Sequence, residues 1–179
     1  MEYLTTISDK DIFPNKNTNQ VTKWNLRKTV KVIIKSNEGK IALVTNPIHN
    51  CFLLPGGGID QDEDIFTAAD RESREEVMCS ITNPQTFGKI EEYRARDGER
   101  YETHGIIAQC HEKISDDLRT GDEKKNHLTV VWLTPEEAEK KLIQQENLFR
   151  EGKIDFYNTG FNIVRDHILF KTAKEKKLF

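Results

Sequence analysis

Between Leu54 and Ile81 the chain reads LPGGGIDQDEDIFTAADRESREEVMCSI, and three of its carboxylates are spaced so that they could do chemistry together. A helix turns by about 100° per residue, so Glu72, Glu75 and Glu76 would share one side within roughly a 100° arc. Like charges three and four residues apart repel each other on a helix. A positive charge set among them removes the penalty, and a divalent cation is the strongest form of it. Hard cations such as Mg²⁺ prefer carboxylate and carbonyl oxygens and often bind together with substrate phosphates. A solvated, charge-laced surface helix could carry a similar acidic run, but it would have no need of the glycine turn that precedes this one.

The elements that must position these acids can be read on either side. CFLL leads into Pro55 and the glycines Gly56, Gly57 and Gly58. A helix is expected from about Asp64 to Val77, with Asp60 or Asp62 as its cap, since a side-chain oxygen there accepts from the first free amides. Phe66, Ala69, Ser73 and Val77 fall on a neighbouring face and are expected to pack inward.

This segment resembles the Nudix box, G-x5-E-x7-R-E-U-x-E-E-x-G-U with U a bulky apolar residue. Gly57, Glu63, Arg71, Glu72, Glu75 and Glu76 all stand at the required spacing, and Pro55 and Gly56 fit the usual lead-in. At roughly one chance in ten per position, six such matches occur in about one window per million. Three positions depart from the pattern: Ser73 and Cys79 replace apolar residues, and Met78 replaces a glycine. Glycine after a helix normally takes a left-handed conformation without strain, so Met78 is where the helix exit departs from the pattern.

The resemblance implies an α/β/α sandwich with a mixed β-sheet and a MutT-like hydrolase. Its members cleave a diphosphate joined to another moiety, with water attacking phosphorus. The implied substrate is a nucleoside di- or triphosphate derivative, oxidised or damaged nucleotides among them. ADP-ribose or a nucleotide sugar is the alternative, and a nucleotide-sensing module without turnover is a reading of another class. Carried onto this chain, the metal ligands are Glu72, Glu75, Glu76 and the carbonyl of Gly56, with Mg²⁺ as cofactor and Mn²⁺ able to replace it. The catalytic set is Arg71, Glu72, Glu76 and a loop acid, Glu123, beside Asp122. Arg71 would hold a carboxylate such as Glu72 by a planar two-point contact, and Glu63 would support the loop-and-helix geometry. Relatives often pair, which implies a homodimer.

The 179 residues are 36% hydrophobic and 32% charged, with a net charge of −3. That suits one domain, or one domain with extensions, and offers no broad basic field for nucleic acid. An acidic protein acting on phosphates needs a bridging cation, in keeping with the carboxylate helix. Cys51, Cys79 and Cys110 form neither a zinc motif nor an obvious disulfide framework, so buried free thiols are expected. The opening MEYLTTISDKDIF lacks the basic and apolar regions of a signal peptide, and no run approaches a membrane span. A cytoplasmic protein is the expectation.

An N-terminal arm is expected over 1–27, the Nudix domain over 28–147 and a helical extension packed on it over 148–179. TVKVIIK and KIALVTN read as a strand hairpin around Asn37-Glu38-Gly39, and HLTVVWL as a further strand. A strand broken at Asn83-Pro84 should return through the RDGER turn. Arg94, Arg96 and Arg100, among Glu91, Glu92, Asp97 and Glu99, read as a surface hairpin laced with salt bridges. Thr134 and Pro135 open a helix, and Phe161, Val164, Ile168 and Thr172 mark a final amphipathic one. The five histidines show no metal-ligand spacing.

Overall fold

The computed structural model describes residues 1–15, 18–46, 51–114 and 129–179. The elements follow one another as β1 (Tyr3–Ser8), α1 (Asp9–Ile12), β2 (Asn25–Lys35), β3 (Ile41–Asn46), β4 (Cys51–Leu53), α2 (Ile65–Val77), β5 (Cys79–Arg94), β6 (Glu99–Lys113), β7 (Thr129–Leu133), α3 (Pro135–Arg150) and α4 (Tyr157–Glu175). The seven described strands form one mixed sheet in the order β1-β5-β6-β2-β3-β4, with β7 also pairing to β3. β2 runs parallel to β6 along its full length, from Asn25 opposite Glu99 to Lys35 opposite Gln109. The N-terminal β1 lies parallel to β5, so the start of the chain supplies an edge strand.

A near-continuous β-branched run suits a strand covered on both faces, and β2 shows the consequence. Val30, Val32 and Ile34 pack with Ala68, Ala69 and Val77 of α2. Ile33 points the other way, into a core built with Leu142 of α3 and Phe161, Leu169 and Phe170 of α4. The result is the α/β/α sandwich, with α2 on one side of the sheet and α3 and α4 on the other.

Several local expectations are refined. The turn after β2 forms with Gly39 at φ 77°, and the hairpin registers only at Lys35 opposite Ile41. Asn83-Pro84 does not end β5. It makes an irregularity between Thr82 and Gln85, with Asn83 at φ 51°. α2 is capped by Asp64, whose Oδ1 accepts from the amides of Phe66 and Thr67 at 2.8 and 3.0 Å, and not by Asp60 or Asp62. Phe66 is exposed, while Ala68 and Glu72 join Ala69, Ser73 and Val77 on the buried face. Met78 adopts the left-handed conformation itself, at φ 55° and ψ 42°, at a cost of roughly 1–2 kcal/mol. Ser73 gives its hydroxyl to the Ala69 carbonyl at 2.6 Å, so the polar group is satisfied inside the core.

At α3 the Thr134 cap and Pro135 form as expected, with Glu137 completing a capping box. α4 is not simply amphipathic: Arg165 and Asp166 are buried along with Phe161, Val164, Leu169 and Phe170. Arg96 pairs with Asp97 and Arg100 with Glu91, but Arg94 and Glu92 belong to the interior. All three cysteines are buried and free.

Candidate active site

Four successive carbonyls at the glycine turn are all taken up by β2. The amides of Val32 and Val30 donate to the oxygens of Pro55 and Gly57, each at 2.9 Å. The ammonium of Lys31, which lies between them, donates to the oxygens of Leu54 at 2.8 Å and Gly56 at 2.5 Å. The turn therefore lies flat against the strand. Gly56, at φ 129°, approaches so closely that a Cβ would stand 2.3 Å from the Val30 oxygen. Only glycine has both the conformation and the space.

α2 brings its acids to this turn. The amide of Gly56 donates to Glu76 Oε2 at 2.7 Å. The carboxylate of Glu72 fills the place where a side chain at Gly57 would begin: a Cβ there would meet Glu72 Oε1 at 2.5 Å. Arg71 organises the rest. Its two-point contact falls on Glu63, from Nε and Nη2 at 3.0 Å each. Nη1 donates to Glu72 at 2.8 Å and to Glu75 at 3.1 Å, and Nη2 also reaches the Gly58 carbonyl at 2.8 Å. The guanidinium holds Glu63 below the usual carboxylate range. Burial pushes Glu72 up, and Arg71 and Lys31 offset only part of that.

The support behind the turn comes from the far side of the sheet, and the sequence did not single it out. The amide of Leu54 donates to Asp166 Oδ2 at 2.9 Å. Asp166 pairs with Arg165, which reaches Glu92 at 3.3 Å. Glu92 is also bound by Arg94 at 2.6 Å and by the Thr103 hydroxyl at 3.1 Å. Two residues earlier, Gln145 of α3 accepts from the Phe52 amide at 2.8 Å and donates to the Phe52 carbonyl at 2.6 Å. Lys31 could have been noticed as a charge on the inward phase of TVKVIIK, where lysine is rarely buried without a partner. Asp166 and Gln145 lie on helices remote in sequence and carried no comparable signal.

Gly56, Gly57, Glu63, Arg71, Glu72, Glu75 and Glu76 thus meet at one place. Glu123 and Asp122 lie outside the described residues. Among the described residues, no three acidic, histidine or cysteine side chains enclose an ion-sized position as they stand. The donor chemistry nonetheless fits a hard divalent cation. All the candidate ligands are oxygens: Glu63, Glu72 and Glu75 gather on Arg71, and Glu76 lies beside them on the Gly56 amide. A carboxylate also has about four lone-pair sites, more than a single N–H contact uses.

A mixed sheet between helices, with a glycine turn against one of its inner strands and an acid-bearing helix packed on its face, defines the fold class of the Nudix hydrolases. The NUDIX domain model matches residues 25–152, and the chain belongs to that family. A comparison with curated proteins returns no match. Among solved structures, a NUDIX hydrolase from Nitrosomonas europaea is similar at 18% identity and TM-score 0.56, over 80% of this chain and 88% of that one. A MutT protein from Bacillus halodurans is similar at 17% and 0.53, over 69% and 80%. An ADP compounds hydrolase is similar at 20% and 0.55, over 86% and 74%. These likenesses establish the shared fold. No described helix is long and apolar enough to cross a membrane.

Proposed function

We propose that this chain is a Mg²⁺-dependent diphosphohydrolase, with Mn²⁺ able to substitute. Its substrate is a nucleoside di- or triphosphate derivative, with oxidised or damaged nucleotides among the candidates. The observation that carries this reading is the convergence of Glu72 and Glu76 on the Gly56-Gly57 turn, one through steric fit and one through the Gly56 amide.

In this reading Glu72, Glu75 and Glu76 hold the ion. Bound there, it would neutralise the diphosphate and make water a better nucleophile. Arg71 positions Glu72 and Glu75, and Glu63 fixes Arg71 in turn. Glu72, seated against the Gly57 backbone, is also assigned to the catalytic set. Glu123 is assigned as an acid on a loop able to close over substrate. The catalytic unit is taken as 28–147, with 1–27 and 148–179 as extensions, in a cytoplasmic homodimer that binds neither membrane nor nucleic acid.

The test is phosphate release over a small panel: ordinary and oxidised nucleoside triphosphates, ADP-ribose and a nucleotide sugar, each with and without Mg²⁺. Glu76→Gln should keep the circular dichroism spectrum and lose at least ~10²-fold in turnover, the scale of one electrostatic contributor. Near-normal turnover in that variant would refute the ligand assignment. Tight nucleotide binding with no turnover by the parent protein would make it a sensor.

A further inference from the structure

Lys31 is 8% exposed, and it lies on a strand whose neighbours Val30, Val32 and Ile33 are completely buried. An apolar residue would suit that environment better, because a buried ammonium must recover its lost hydration from local partners. Its partners are the carbonyl oxygens of Leu54 and Gly56. The intervening and following carbonyls, those of Pro55 and Gly57, are occupied by the strand's own amides. The four oxygens therefore alternate between backbone amide and ammonium. The Gly56 oxygen, which the box resemblance offers to a metal, already has a cation on it. The same ammonium is close enough to Glu72 for its charge to be felt there.

We propose that Lys31 is a resident cation of this site: it holds the Leu54 and Gly56 carbonyls itself, keeps divalent ions off them and confines such ions to the carboxylate side of the turn. This rests on the diphosphohydrolase reading above. An ammonium and a divalent ion cannot share one carbonyl oxygen without severe repulsion. Their separation would be a few ångströms, where even a high effective dielectric leaves a penalty of more than a tenfold step in affinity. Lys31 is in this sense a positioning residue. It sets where and how tightly an ion binds, and it locks the turn to β2 in the absence of any ion.

The experiment measures Mn²⁺ binding to the free protein near neutral pH, by the EPR signal of unbound Mn²⁺, with no substrate present. Lys31→Met and Lys31→Gln remove the charge and should bind Mn²⁺ at least ~10-fold more tightly than the parent. Lys31→Arg keeps the charge and should bind as the parent does. Neutral variants whose isotherms coincide with the parent's would overturn the inference. Should Lys31→Met fail to fold by circular dichroism, Lys31→Gln carries the comparison. If neither folds, the ammonium ¹⁵N signal of Lys31 in the parent decides. It should keep its shift as Mg²⁺ is added to saturation, and a large displacement would overturn the inference. Glu76→Gln separates the two levels of argument. Parent binding that this variant abolishes, together with unchanged binding in the neutral Lys31 variants, sinks only the role of Lys31. A parent that binds no Mn²⁺ sinks the metal reading and this inference with it.

Discussion

Adding one methyl group at either of two adjacent glycines should separate folding from chemistry in this site. At Gly56 the new Cβ would lie 2.3 Å from the Val30 oxygen and 3.1 Å from the Lys31 Cα, at a φ of 129°. Both obstacles are backbone, so the turn must lift off β2 and lose some of the four carbonyl bonds that hold it. A cost of about 3 kcal/mol is reasonable for strain plus lost bonds. For a chain of this size that lowers Tm by roughly 6–12 °C. At Gly57 the obstacle is the Glu72 carboxylate, at 2.5 Å. It must retreat by about 0.5–0.9 Å to reach a tolerable 3.0–3.4 Å. Side-chain motion is cheap, so Gly57→Ala should cost no more than about 1 kcal/mol in stability. A shift approaching 1 Å in a group that holds the reacting centre should cost on the order of 10²-fold in turnover. The assays are a thermal melt and steady-state phosphate release on the best substrate of the panel. Gly57→Ala with turnover within about threefold of the parent would refute the claim that this contact sets the position of Glu72.

Two further substitutions probe the frame. Burial pushes Glu92 up, but Arg165 and Arg94 outweigh it and hold the carboxyl below its usual range. A folded pKa below the unfolded value of about 4.3 means that the pairing stabilises above that pH and is lost as pH falls through the folded value. Glu92→Gln should therefore lower Tm on the order of 10 °C at neutral pH, since it leaves buried guanidinium groups short of a counter-charge. The gap from the parent should narrow toward acid, and calorimetric curves that run parallel from neutral pH to about pH 3 would contradict the assignment. Met78→Gly relieves a left-handed residue at the end of α2 and should raise Tm by about 2–4 °C. A fall would show that packing by the Met78 side chain outweighs the strain.

The box was legible because its spacing is local. One helix period brings Glu72, Glu75 and Glu76 to one side, and a glycine turn just ahead supplies the backbone they approach. Strands were legible from alternation in TVKVIIK and from the β-rich composition of TVVWL. What escaped detection depends on long-range pairing. Glu92 and Arg94 look like surface charges in a polar hairpin, and only the arrival of Arg165 and Asp166 from α4 makes them interior. Helical phase points Phe66 inward, yet α2 presents Ala68 and Glu72 to the sheet instead. Asp62 and Asp64 are both plausible caps by type. Asp62 takes a positive φ of 66° in the approach, which leaves the capping position to Asp64. Lys31 stood within a clear strand pattern, but its partners lie more than twenty residues away.

The short strand β4 stands at the end of the sheet order, where unpaired peptide groups would invite another chain to add itself. Gln145 forestalls this by acting as a one-residue substitute for a missing neighbour, its amide matching both the donor and the acceptor of Phe52. At Phe52 the cover comes from within, by a side chain of α3 that is itself only 3% exposed. Replacing Gln145 with an apolar residue would leave the Phe52 amide and carbonyl covered by α3 without partners, and the first symptom would be a lower melting temperature.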